Sequence, residues 1–150
     1  MNYQKTCDII AGLDVSNGAQ NVTILNVNEI KRGYESGDCP VAFIQAFDDA
    51  PQGEFTTMAL DSNGFIHWNI PVLFLEAPVE EDLGPGRHAR ALVAFMENFI
   101  QALVNAKSSF CTNGLMVVGI VPRRAVITYA GRRFYGASFI VRVRDSTRIT

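Results

Sequence analysis

Residues 87–106, RHARALVAFMENFIQALVNA, decide how this chain folds. Leu92, Phe95, Met96, Phe99, Ile100 and Leu103 recur at three- and four-residue steps, the period of a helix with one apolar face. His88, Glu97, Asn98, Gln101 and Asn105 fall mostly on the remaining surface. Gly84-Pro85-Gly86 punctuates the start, and Ser108 to Gly114 (SSFCTNG) reads as a turn-rich stop. This is the one long amphipathic helix in the sequence. The segments on either side read as strands of the sheet that it covers.

Working outward towards the N-terminus, Phe65 to Leu75 (FIHWNIPVLFL) alternates, with Ile66, Trp68, Ile70, Val72 and Phe74 on one face. Pro71 cannot donate to a ladder and predicts a bulge or an edge position. Asp61-Ser62-Asn63-Gly64 is a hairpin signal that joins this strand to Glu54–Leu60. Before the turn-rich residues 48–53 lies a further strand, Pro40–Phe47, and the short connections predict an antiparallel meander. Val22–Val27 reads as a short strand, the polar residues 28–40 as an exposed loop, and residues 3–13 as a short helix. Towards the C-terminus, Leu115–Val121 reads as a strand stopped by Pro122. Ala125–Tyr129 and Arg132–Arg144 then form a hairpin about Ala130-Gly131, and the last residues, DSTRIT, are expected to fray. The expectation is one α+β domain spanning residues 1–150. It has an antiparallel sheet, made of the meander and the C-terminal hairpin, packed against one long helix, with a short helix at the N-terminus.

The 150 residues suffice for a sizeable core, and 48% hydrophobic with 19% charged residues excludes a disordered chain. Cys7, Cys39 and Cys111 are odd in number and lack metal-ligand spacing, so free thiols in a reducing compartment are expected. The opening MNYQKTCDII lacks the layout of a secretory signal, and no apolar run approaches the ~18 residues of a membrane span. A soluble protein with no membrane partner is expected.

Charge is distributed unevenly. Residues 1–86 carry 13 acids against three bases, a net of −10, whereas residues 87–150 carry ten bases against two acids, a net of +8. The halves can neutralise each other within one fold, or supply two unlike surfaces for head-to-tail contact between copies. A basic second half can also meet nucleic acid. All three readings stand at this point.

Enzymatic chemistry is not visible. His67 and His88 pair with no nucleophile in a recognisable motif, and no Walker loop, GxSxG or HExxH occurs. No cofactor or metal is expected. The acids Glu80, Glu81 and Asp82 precede the long helix, where its dipole favours negative charge by ~0.3–1 kcal/mol each. Arg123-Arg124 and Arg132-Arg133 flank a short hairpin that is expected to gather all four on one rim, beside Phe134 and Tyr135. Cations interleaved with aromatics suit either a protein interface or single-stranded nucleic acid, and interface is the preferred reading.

WNIPVLFLEAP, the long helix, and then VVGIVPRRAVITYAGRRFYGASFIVRVR together resemble the tail terminator (tail-completion, minor tail U-like) proteins of long-tailed bacteriophages. The likeness runs over residues 65–145, through Gly131, Phe134-Tyr135, Gly136-Ala137 and the alternating Phe139–Arg144. The first 35 residues and the acidic loop match it less well. The resemblance implies a homo-hexameric ring in the virion neck, assembled in the host cytoplasm. Such a ring ends tail-tube polymerisation and meets the tail tube protein on one side and the head connector or stopper protein on the other. Genomic DNA would pass through its lumen without sequence-specific binding. The basic hairpin and the 80–82 loop are the expected interface, so reversing the charge of Arg132 and Arg133 is expected to block assembly. The alternatives are another neck-ring (head-completion) component and a single-stranded nucleic-acid-binding module.

Overall fold

In the structure, a computed structural model, residues 2–45, 58–79 and 85–148 are described. The elements run α1 (Asn2–Ala11), β1 (Asp14–Ser16), β2 (Asn21–Leu25), β3 (Val41–Ile44), β4 (Met58–Leu60), β5 (Phe65–Pro78), α2 (Pro85–Asn105), α3 (Lys107–Thr112), β6 (Leu115–Tyr129) and β7 (Arg132–Arg148). The class is mixed α+β. One curled sheet follows the order β1-β2-β3-β5-β7-β6, and β4 pairs β5 on the flank that β3 also uses.

Two parts of the expected topology change. β3 and β4 do not pair each other in a meander, since both lie against β5. β2 and β3 are parallel, so the polar residues between them form a crossover rather than a simple loop. β7 of the C-terminal hairpin pairs β5 over nearly its whole length, which leaves β6 as the edge strand.

Both prolines are explained by the ladder. Gln45 N–H donates to Pro71 C=O at 2.9 Å, so the backbone of Pro71 faces the flank shared by β3 and β4. β3 ends opposite Val72 and β4 starts opposite Trp68, so the missing N–H of Pro71 falls in the gap between them. β5 is thus a central strand with a local break, rather than an edge strand. Pro122 does not end its strand, because β6 is an edge strand and its one partner, β7, continues past it. Two more expectations give way: SSFCTNG begins within α3, held by the buried Phe110, and the C-terminal strand stays paired to Arg148 rather than fraying.

Alternation then builds the core. Ile70, Val72 and Phe74 of β5 share a face with Ala137, Phe139, Val141 and Val143 of β7. α2 lays Leu92, Phe95, Phe99 and Leu103 on that face, while Met96 and Ile100 of the expected stripe are half-buried at its border. The Phe95 ring stacks on Phe74 at 4.0 Å between centroids, and Phe99 meets Phe139 at 4.5 Å. Asp145 is the buried acid at the far end, accepting from Asn2 Nδ2 (2.7 Å) and Trp68 Nε1 (3.1 Å).

The opposite face carries a second, smaller core. Tyr34, from the crossover between β2 and β3, is buried against Phe43, Leu73, Leu75 and Phe134. Its ring stacks on Phe43 at 5.2 Å. Among the described residues, the crossover covers one end of that outer face.

Candidate functional site

The β6–β7 hairpin turns at Ala130-Gly131, both with positive φ, as a two-residue turn of matching twist requires. Tyr129 lies opposite Arg132, whereas Arg123 and Arg124 lie opposite Ser138 and Ala137. Arg123 is therefore six residues from the turn, about 20 Å at ~3.3 Å per residue. The four arginines do not gather on one rim. Adjacent residues of a strand also point to opposite faces, so each pair is split. Arg124 is exposed on the helix side, beside Arg90, Val93 and Glu97 of α2. Arg132 sits on the outer face, with Nη1 donating to Tyr34 C=O at 3.4 Å and its guanidinium 5.9 Å from the Phe134 ring. Arg133 is exposed.

The two aromatics of the expected patch also separate. Phe134 is fully buried in the second core, so it supports the hairpin from within rather than presenting a contact surface. Tyr135 faces the helix side and stacks on His88 at 5.3 Å. Glu80, Glu81 and Asp82 lie outside the described residues. The backbone leading to them does not: Val79 N–H donates to Arg133 C=O at 3.0 Å. The acidic segment thus departs from beside the basic hairpin tip of its own chain.

Register reveals a different basic surface. Across the outer face, Leu73, Ser138 and Arg123 form one row, Asn69, Arg142 and Gly119 another, and His67, Arg144 and Met116 a third. Arg123, Arg142 and Arg144 therefore project on the same, outer face of the β6–β7 side. Arg142 Nε donates to Asn69 Oδ1 at 3.0 Å, and the Arg144 guanidinium lies 4.9 Å from the Phe65 ring. These contacts hold two of the three cations against the sheet. Joining Arg123 to Arg142 and Arg144 needs the β6–β7 register. Every lysine or arginine on a strand lies on β6 or β7, among the described residues. At the far edge of the sheet Asp8 of α1 and Asp14 of β1 are exposed.

Two histidine pairs are structural. His67 Nε2 lies 2.7 Å from Asp61 Oδ2, while Asp61 Oδ1 accepts from the N–H groups of Asn63 and Phe65. The pair staples the β4–β5 turn, and it holds the Asp61 carboxyl below its ordinary value, His67 contributing most. His88 Nδ1 is 3.8 Å from Glu76 Oε1, and Asn17 Nδ2 donates to Glu76 Oε2 at 3.4 Å.

Burial raises the Glu76 carboxyl above its ordinary value, with Asn17 and His88 opposing it. The native state therefore keeps a proton that the unfolded chain has released. Stability falls as pH rises through that window, and the loss persists at neutral pH. Glu76→Gln is accordingly expected to melt higher than the parent at pH 7 and level with it below pH ~4, where both forms are neutral. A lower melting temperature at pH 7 would show that the His88 pairing outweighs burial.

The cysteines are free: Cys7 buried, Cys39 half-buried and Cys111 exposed. Burial pushes the Cys7 thiol up to about 11 and the adjacent Tyr3 hydroxyl to about 12, so neither ionises near neutral pH. Among the described residues no group of three His, Cys, Asp or Glu side chains could hold a metal ion. None of the described helices is long and apolar enough to cross a membrane. Comparison with known protein families and with curated proteins finds no match to this chain.

Proposed function

We propose that this chain is a structural virion subunit that closes into a hexameric ring at the head-proximal end of a phage tail. The ring ends tube polymerisation and joins the tail to the head connector. The observation that carries the reading is the asymmetry of the sheet. Its β6–β7 side is long, open at the edge and basic, while the acids of the first half belong to the other elements and loops. A ring needs such unlike surfaces, because each subunit offers one patch and receives a different one. The sequence resemblance over residues 65–145 supports the same reading. Its expected interface residues Glu80, Glu81 and Asp82 lie outside the described residues.

Native mass spectrometry over a concentration series, with negative-stain images of the same samples, tests the proposal. Six-chain species with a central hole are expected, either alone or after tail tubes are added. Monomers under both conditions would end it.

The outer-face arginines Arg123, Arg142 and Arg144, the last with its guanidinium over Phe65, support a second reading, a platform for single-stranded nucleic acid. That reading requires oligonucleotide binding whose logarithmic salt slope is ~0.7 per phosphate contacted. A ring through which DNA slides without specificity requires only weak binding.

A further inference from the structure

We propose that the outer face of β5, β6 and β7 binds the phosphodiester backbone of duplex nucleic acid through Arg123, Arg142 and Arg144, without reading its sequence. The inference rests on the arginine set of the second reading and names what that set takes, backbone rather than bases. It stands whether or not the ring closes.

The three cations are uncompensated. Arg123 and Arg142 are exposed and Arg144 is half-buried, and none of them forms an ion pair. The acids of the same strands are engaged elsewhere. Glu76 meets Asn17 and His88, and Asp145 is buried against Asn2 and Trp68. Asp61 reaches this face through His67, and its carboxylate is met by that ring and by the N–H groups of Asn63 and Phe65. Arg142 and Arg144 project from one strand two residues apart, ~6.6 Å at ~3.3 Å per residue. Their mutual repulsion is relieved when an anion lies against both.

The guanidinium forks are set in advance. Asn69 Oδ1 accepts from Arg142 Nε at 3.0 Å, which leaves the two terminal nitrogens to donate. Arg144 lies 4.9 Å from the Phe65 ring centroid, a cation–π contact that fixes the side chain while its outward N–H groups remain for an anion. Planar forks of this kind match the oxygens of a phosphate.

Spacing suits an extended polyanion. Arg123 lies opposite Ser138, six residues before Arg144. The set therefore spans ~20 Å along the strands at ~3.3 Å per residue. One strand of a duplex presents about six phosphates over that length, at ~3.4 Å each. The middle of the set favours nucleic acid over an acidic protein. Of Pro71, Ile140 and Val121, which lie between Arg123 and Arg142, Val121 alone is exposed. The core of a protein interface is more apolar and depleted in charge.

The aromatic rings decide between duplex and single strand. A single-strand platform needs ring faces on which bases stack. Here Phe65 carries the Arg144 guanidinium, and Tyr34, Phe43 and Phe134 are buried in the second core. Tyr129 packs on Phe43 and donates to Lys31 C=O at 2.8 Å. None of these rings is exposed.

Fluorescence anisotropy of the full chain with a labelled mixed-sequence DNA duplex, over a salt series, tests the proposal. Binding is expected with a logarithmic salt slope of ~2.7, at ~0.9 per phosphate contacted. Arg123→Gln with Arg142→Gln and Arg144→Gln should weaken it roughly tenfold or more and remove most of the slope. Arg90→Gln with Lys107→Gln and Arg124→Gln removes three exposed cations of the helix side and should leave most of both. Equal losses in the two triple variants would overturn the proposal, because net charge alone would then account for the binding. Arg142→Lys with Arg144→Lys keeps both charges and should keep the slope. A slope lost there too would trace the effect to the packing of the sheet and overturn the proposal. Loss of six-chain species in the outer-face variant, with duplex binding unchanged, would give the face to a protein partner instead. Tighter binding of a single strand of the same sequence would overturn the duplex assignment and leave the second reading standing. Absence of binding to either at low salt would overturn both, while oligomer masses judge the ring separately.

Discussion

Phe95→Ala is expected to destabilise the protein by about 3–5 kcal/mol and to lower its Tm by roughly 10–15 °C. The magnitude follows from where the ring sits. Phe95 is fully buried, stacked on Phe74 at 4.0 Å and flanked by Phe99 at 6.1 Å and Phe139 at 5.9 Å. Truncation removes the apolar contact and leaves a void whose walls are other aromatic rings. Those rings are fixed on β5, β7 and α2, so collapse into the void is limited. Phe95→Leu keeps part of the volume and should cost less. Val93→Ala, at an exposed position one turn away from none of these rings, should stay within ~0.5 kcal/mol of the parent. Urea denaturation of the three variants side by side measures the differences. Equal losses for Phe95→Ala and Val93→Ala would rule out the stacked arrangement.

That core was largely legible in the sequence, and the reason is local. Helical and strand periods repeat over a few residues, so Leu92, Phe95, Phe99 and Leu103, and the alternation of β5 and β7, could be read directly. Sheet order could not, because β5 pairs β7 across the whole length of α2 and no local pattern encodes that choice. Pro71 and Pro122 illustrate the limit. Each is forbidden a ladder donor, but whether this ends a strand depends on what lies beside it. For Pro71 the neighbour is the gap between β3 and β4, and for Pro122 it is the open side of β6. Tyr34 was hidden for another reason, as a single aromatic within a polar crossover that covers a core no periodicity announced.

The candidate surface was legible in charge and obscure in geometry. Six of the arginines after residue 87 that the sequence shows, Arg123, Arg124, Arg132, Arg133, Arg142 and Arg144, lie on β6 and β7. Neighbouring arginines on a strand point to opposite faces, however, so the pairs Arg123-Arg124 and Arg132-Arg133 dissolve as units. What replaces them is the set of Arg123, Arg142 and Arg144 on one face, assembled from two strands by register.

Gly136 is where the two faces of the sheet meet most tightly, and its replacement carries the other large effect. A Cβ built there would lie 2.4 Å from the Phe74 carbonyl oxygen and 2.8 Å from Ile127 Cδ1. The first contact is with backbone of the adjoining central strand, so it yields only if β5 and β7 move apart. The second is with a side chain of the smaller core, between the hairpin and the crossover that carries Tyr34. Overpacking of this kind costs about 1–3 kcal/mol for an added methyl, and more where backbone must shift. Gly136→Ala is therefore expected to lose at least ~3 kcal/mol, and Gly136→Val to show no cooperative melt. Adding Ile127→Ala to Gly136→Ala should recover only a minor part, because the carbonyl clash remains. Gly119→Ala is the internal control: it lies on the neighbouring strand with nothing within 4 Å of the added carbon, and should be near neutral. Thermal melts of the four variants decide the point, and equal stabilities for Gly136→Ala and Gly119→Ala would mean that β5, β7 and β6 do not approach as described. The same close approach sets the hairpin against the crossover that carries Tyr34.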